Sequence, residues 1–315
     1  MSAKTAVPPT EKPQIERAEV ANPDAEQPQS AADRLLTGLS VRRRTQIAAG
    51  VETAVLDGGD GPPLVLLHGP GEFAGVWSPV LGDLVRSHRV VAPDLPGHGA
   101  SASPADGLSG EWVDHWLDDL ITAYCPEPPV LVGRVVGGAI GAAYAAAHPD
   151  RLAQLVLVDS LGLAPFDPDP RFGLAMLRFL AAPSIATYER FMDFCAFDLD
   201  TAKGRLGDRW IPYAAYAVDR AENPGVQSAI GSMIGLYGRP TPPAVLDAIR
   251  VPTSLIWGRE DAATPLSVAE RASARYGWPL HVIDRAGDDP ALDRPAEFVS
   301  ALVEVLARGG GHDEK

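Results

Sequence analysis

The sequence predicts an α/β fold: a mostly parallel sheet with helices on both faces and a helical cap. Three observations predict it. Short apolar runs such as Leu64-Val-Leu-Leu67, Val130-Leu-Val132 and Leu155-Val-Leu-Val158 are continuous rather than alternating, as strands buried on both faces are. Stretches of helical length separate these runs, so strand and helix alternate along the chain. Between Leu161 and Pro252 that rhythm breaks, and helical segments follow one another with no clear strand.

Residues 1–32 are rich in Pro, Glu, Ala and Gln and carry almost no large apolar group, which predicts a disordered tail. Residues 45–49 and 51–56 read as two strands, antiparallel to each other, before a Gly-Asp-Gly-Pro turn at 59–62. The apolar strand 64–67 ends in His68-Gly69. A helix at 76–86, the strand 89–92, a Pro-Gly-His-Gly loop and a helix at 110–124 follow. The strand 130–132 leads into a glycine-rich helix at 138–148, stopped by Pro149, and then the strand 155–158. Helical runs at 172–180, 184–194, 213–221 and 226–237 come next. The chain closes with the strand 254–257, a helix at 265–276, a strand at 280–284, a helix at 290–307 and a flexible tail at 308–315. The core therefore comprises residues 41–160 and 241–307. Residues 161–240 form a cap over the carboxyl ends of the strands, where ligands bind in open sheets of this type. Phe191, Phe194, Trp210, Tyr213, Tyr216 and Met233 are the cap residues expected to line an apolar pocket.

Composition excludes several functions. Lys plus Arg is 27, Asp plus Glu is 41, and the net charge is −14. An acidic chain with a pI near 4.9 is a poor partner for nucleic acid or an anionic membrane surface. The charge favours a neutral or cationic ligand over a strongly anionic one, and with the capped pocket the expected partner is a small apolar or neutral organic ligand. Two cysteines, Cys125 and Cys195, make no disulfide framework and fit a reduced, cytoplasmic setting. The polar N-terminus is no signal peptide, and no apolar run reaches the ~20 residues that span a bilayer. There is no Cys/His cluster at zinc spacing, and no cofactor is implied. No feature assigns an oligomeric state.

The segment Gly133-Arg134-Val135-Val136-Gly137-Gly138 joins strand to helix as a nucleophile elbow does, with Gly133 and Gly137 as its two flanking glycines. The central residue of such an elbow is the attacking group. Here it is Val135, which has no lone pair.

Five segments in order resemble the α/β-hydrolase superfamily across residues 41–307. LVLLHGPG at 64–71 looks like its oxyanion loop and VVAPDLPGHGAS at 90–101 like its second signature. LVGRVVGGAIG at 131–141 looks like the elbow, LIWGREDAATP at 255–265 like the loop of the triad acid, and HVIDRAGDDPALDRPAEFVSAL at 281–302 like the histidine loop and last helix. The resemblance implies an α/β-hydrolase fold with an eight-stranded sheet. It places Asp261 at the acid position and Gly69, Pro70 and Gly71 in the oxyanion loop. It also places Val135 where the nucleophile stands and Asp288 where the histidine stands. A Ser-His-Asp mechanism needs both of the missing groups. Pro70 has no N–H, so that arm of the oxyanion hole would fall to Gly71, beside Val136.

The main functional expectation is accordingly a protein without the triad: a pseudo-hydrolase that binds a ligand, or a non-hydrolytic enzyme. Asp261 and Asp288 come from adjacent loops. Two close carboxylates cannot both ionise cheaply, so the pair could act as acid and base in a cyclisation, elimination or isomerisation. An opposing reading has Arg134 neutralise Asp261 or Asp159 in a structural salt bridge. The third alternative is a hydrolase that uses an unrecognised nucleophile, with Cys195 as one candidate, or an activated water. His68 and His98 are read as groups that shape their loops by hydrogen bonding.

Overall fold

The computed structural model describes residues 30–309. Most of the two expected tails, residues 1–29 and 310–315, lies outside them. Within the described residues the tail boundaries shift: Ala31 already begins a helix, Ala31–Leu36, and the last helix runs to Gly309.

Eight strands form one sheet: β1 (Arg42–Ala48), β2 (Val51–Gly58), β3 (Pro63–Leu67), β4 (Arg89–Pro93), β5 (Val130–Arg134), β6 (Gln154–Val158), β7 (Thr253–Gly258) and β8 (Leu280–Ile283). Their order is β1-β2-β4-β3-β5-β6-β7-β8. β1 and β2 make an antiparallel hairpin in which Ala48 faces Val51. Its two-residue turn, Ala49-Gly50, has φ of +44° and +80°, the backbone that matches the twist of a hairpin. β2 also runs antiparallel to β4; β3 to β8 are mutually parallel.

Alternate residues of the central strands feed two cores. Leu64, Leu66, Val132, Val156 and Ile256 face a layer with Trp77 and Phe298. Val65, Leu67, Leu131, Leu155 and Leu157 face the other, with Trp116, Tyr144 and Trp257. All are buried, each stabilising by roughly 1.5–3 kcal/mol. This two-sided burial explains the continuous apolar runs.

The sheet reverses its winding direction at β3. From β3 the chain moves to β4 on one side, and then returns to place β5 on the other. The loops after β3 and β5 therefore diverge and leave a crevice at the carboxyl ends of the strands. Over it lie five helices: Pro170–Ala181, Ile185–Cys195, Leu199–Leu206, Trp210–Ala221 and Pro224–Tyr237. The side chains of Asp169, Ser184, Asp198 and Asn223 cap four of them by accepting first-turn N–H groups.

Three details depart from the sequence reading. The helix expected at 76–86 is a tight turn, Ala74–Trp77, followed by Ser78–Leu84. The helix expected at 290–307 is two, Pro290–Asp293 and Pro295–Gly309, because Pro295 forces Arg294 out of helical backbone. The Leu199–Leu206 helix was not anticipated, since its polar sequence carries only a faint apolar stripe. Among the described residues no helix is long and apolar enough to cross a membrane.

Candidate active site

Val135 occupies the turn between β5 and the helix Val136–Ala147, with φ +51° and ψ −114°. The neighbouring glycines force this geometry. A Cβ on Gly133 would lie 2.4 Å from the Gly137 carbonyl, and one on Gly137 would lie 2.6 Å from the Leu67 carbonyl. The backbone of Val135 is tied on both sides, its N–H to Val158 O at 3.0 Å and its carbonyl to Leu161 N–H at 3.1 Å. A β-branched residue in this conformation stores about 1–3 kcal/mol of strain, which persists only where the surroundings impose it. The elbow thus keeps its strained shape and presents two methyl groups to the cavity above it.

That cavity, of about 340 Å³, lies between the cap and the strand ends. Pro70, Gly71, Arg134 and Val135 form part of its floor, and Phe172, Phe179, Tyr188, Phe191, Tyr213 and Tyr216 are among the cap and core residues around it. Three of the predicted lining residues, Phe191, Tyr213 and Tyr216, contribute to the wall. Phe194, Trp210 and Met233 do not. Trp210 instead donates its indole N–H to Glu189 Oε1 at 3.0 Å and stacks on Tyr188 and Tyr213 behind the wall. Met233 is wholly buried in the core beneath the cap. Helical periodicity shows that a face is apolar, but not whether it meets core or cavity. Val136 and Gly69 also lie off the cavity; Val136 is buried under the elbow.

The polar end of the cavity is a cluster around Arg134, which is 3% exposed. Arg134 Nη1 donates to Glu72 Oε1 at 2.7 Å and lies 3.3 Å from Asp289 Oδ2. Nη2 donates to the Asp288 carbonyl oxygen at 3.2 Å and lies 3.9 Å from Asp288 Oδ1. The other oxygen of Glu72 accepts the Gly69 N–H at 2.7 Å, so this carboxylate is built into the oxyanion loop. The guanidinium does not bond to Asp261 or Asp159, as the salt-bridge reading had it; its partners are Glu72, Asp288 and Asp289. Glu72 and Asp289 were missed in the sequence. Both adjoin residues already singled out, Gly71 and Asp288, and an acid inside a glycine-rich loop was the available signal.

Asp261 sits below this cluster rather than on the cavity wall. Its Oδ1 accepts the N–H groups of Ala263 and Thr264 at 2.7 and 2.8 Å. Its Oδ2, like Oδ2 of Asp159, is buried with no hydrogen-bond partner among the described residues, and two neighbouring carboxyls in such a place cannot both ionise cheaply. Asp159 Oδ1 in turn accepts the Gly258 N–H at 2.9 Å. Burial, reinforced by the charge of Asp261, raises the Asp159 carboxyl well above the usual range. Asp288 is also pushed well above it, by burial first; Arg134 opposes the shift, and Asp261, Asp289 and Glu72 add to it. Among the described residues Asp288 Oδ1 has no hydrogen-bond partner, and Asp288 lines the cavity. Asp289 is pushed up to about 7, chiefly by burial. The site therefore places a carboxylate ion-paired to Arg134, Glu72, beside a carboxyl, Asp288, that burial pushes toward its protonated form. Asp288 does feel the charge of Asp261, but so does Asp159, and no hydrogen bond joins Asp261 to Asp288.

Two other candidates have other roles. Cys195 borders the cavity, but burial holds its thiol well above its ordinary value, so it stays protonated. His68 accepts the Leu95 N–H at 2.9 Å through Nε2 and meets the Gly69 carbonyl at 2.7 Å through Nδ1, which ties two loops together. Among the described residues no group of three or more His, Cys, Asp or Glu side chains is arranged to hold a metal ion.

The sequence matches the α/β-hydrolase-fold family over residues 62–295. It is 32% identical to a 2-hydroxymuconate semialdehyde hydrolase of Pseudomonas sp. (strain CF600), over 84% of this chain and 93% of that protein. It is 30% identical to a 2-hydroxy-6-oxo-2,4-heptadienoate hydrolase of Pseudomonas putida, over 84% and 96%. In structure it is similar to the 2-hydroxy-6-oxo-6-phenylhexa-2,4-dienoate hydrolase of Rhodococcus sp. strain RHA1, with a TM-score of 0.74 at 26% identity, covering 85% of this chain and 99% of that one. The meta-cleavage product hydrolase CumD of Pseudomonas fluorescens IP01 gives 0.72 at 27% identity, covering 85% and 98%. These relatives, the last of them solved as its S103A mutant, are named as hydrolases and match over most of this chain. They overturn the expectation of a pseudo-hydrolase binder or a non-hydrolytic enzyme, which rested on the absence of the nucleophile at Val135 and of the histidine at Asp288. The chain belongs to the α/β-hydrolase-fold family.

Proposed function

We propose that the protein is a hydrolase that delivers water directly to a carbonyl carbon of a small, largely apolar organic substrate. The observation that carries this reading is the pairing of Glu72 with Asp288 across Arg134 at the cavity floor, above an elbow that offers no side-chain nucleophile. The relatives' names support hydrolysis of an organic oxo compound. Two thiols outside any disulfide support a cytoplasmic setting.

The chemistry follows from the two carboxyls. Glu72 takes a proton from water as the water oxygen attacks the carbonyl carbon. The carbonyl oxygen takes the proton of Asp288, so the adduct is uncharged. In the second step the adduct returns a proton to Asp288. The carbon–leaving-group bond breaks with its electron pair on the leaving group, which takes the proton held by Glu72. Substrate plus water becomes acid plus the protonated leaving group, and both carboxyls are restored. Arg134 holds Glu72 in place, and the closed apolar wall strengthens each of these interactions.

The test is turnover of p-nitrophenyl esters from acetate to octanoate and of 1,3-diketones such as benzoylacetone, followed by a single turnover in H₂¹⁸O. Direct attack puts the label in the acid product during the first turnover. Label found instead on a protein carboxyl would reveal a covalent ester, and inertness toward every compound would refute the hydrolase reading.

A further inference from the structure

Among the described residues the cavity is lined by one cation, Arg134, and three acidic side chains, Glu72, Asp288 and Asp289. The cation is already committed. One of its terminal nitrogens is bound to Glu72 at 2.7 Å and lies 3.3 Å from Asp289. The other is bound to the Asp288 carbonyl oxygen at 3.2 Å. Its Nε has no hydrogen-bond partner, but it is as buried as the rest of the side chain. The remaining wall is aromatic and aliphatic, with the tyrosine hydroxyls as its main other polar groups; that of Tyr216 has no partner.

An anionic group entering this space would leave water, meet the Glu72 carboxylate beside an already neutralised guanidinium, and find no free cation. Burying an unpaired charge is costly, whereas a neutral carbonyl needs only the donors present. A cation would find the acids shared with Arg134 and an apolar wall elsewhere.

We propose that the cavity takes an uncharged substrate, and that the Glu72–Arg134–Asp289 ion cluster is the specificity element that rejects carboxylates. One curated relative is named for a heptadienoate, a carboxylate by its chemistry, so the proposal sets this chain apart in substrate charge. It refines the substrate class of the hydrolase reading and rests on that reading for its importance. Its measurement, however, is binding.

Three matched, inert probes test it: 4-phenylbutanamide, 4-phenylbutanoate and 4-phenylbutylammonium, each titrated calorimetrically into the full-length protein at pH 7. The amide is expected to bind at least tenfold more tightly than either ion. Glu72→Gln and, separately, Asp289→Asn, each checked by circular dichroism, are expected to raise 4-phenylbutanoate affinity at least tenfold by releasing positive charge on Arg134. Carboxylate or ammonium binding equal to that of the amide in the unaltered protein would overturn the proposal, as would failure of all three to bind. Failure of the ester and diketone assays would refute hydrolysis while leaving this charge preference to stand or fall by itself.

Discussion

Arg134 Nη1 lies 2.7 Å from Glu72 Oε1, which joins the residue before Val135 in the elbow to the loop after β3. The two come from either side of the point where the sheet reverses direction. A guanidinium stands where the elbow approaches the active centre, and it holds a carboxylate in the oxyanion loop.

Removing that guanidinium strips the counter-charge from the half-buried Glu72 carboxylate and from the buried Asp288 and Asp289. Arg134→Ala is expected to cost about 3–5 kcal/mol of stability. Combining Arg134→Met with Glu72→Gln and Asp289→Asn should recover most of the loss, because the charges disappear together. Urea unfolding of the two proteins measures the difference.

Asp288→Asn and Glu72→Gln are each expected to lower kcat by roughly 10²–10⁴, the usual worth of a positioned acid or base. KM should change far less. Asp261→Asn should act more weakly, since Asp261 lies off the cavity and its Oδ1 is taken up by the Ala263 and Thr264 N–H groups. Steady-state kinetics on the best ester or diketone decides. A drop in activity confined to Asp261→Asn would reverse these roles.

Val135→Ser places a hydroxyl on the elbow but supplies no imidazole to take its proton. It is expected to remain unlabelled by fluorophosphonates and to gain less than tenfold in ester turnover. Val135→Gly is expected to lose less than about 1 kcal/mol, because release of backbone strain offsets the lost methyl contacts. Thermal melts and intact-mass labelling test both.

Stability should fall as pH rises. In the unfolded chain these carboxyls titrate near ~4. In the fold Asp289 titrates at about 7, and Asp288 and Asp159 titrate well above the usual range. Between those limits the folded state keeps protons that the unfolded state has released, so rising pH favours unfolding. The stability present below ~4 is lost progressively through pH 7, by on the order of 4 kcal/mol for Asp289 alone. Urea midpoints at pH 5.5 and 8.5 should show the decline, and Asp289→Asn should flatten it.

The sequence by itself determined the fold and the elbow. Apolar runs buried on both faces need no partner to be recognised, and the close approach of Gly133 and Gly137 is local in the chain. For the same reason Val135 was visible at once as a residue with no lone pair. Only the tertiary structure decided the acid–base cluster and the cavity wall. Arg134 ends β5, and Glu72, Asp159, Asp261 and Asp288 come from the loops after four other strands, so no spacing along the chain shows which carboxyl meets the guanidinium. Trp210 and Met233 illustrate the same limit within the cap. Their apolar character was plain, but whether they meet the cavity depends on helix rotation, which packing against the core sets.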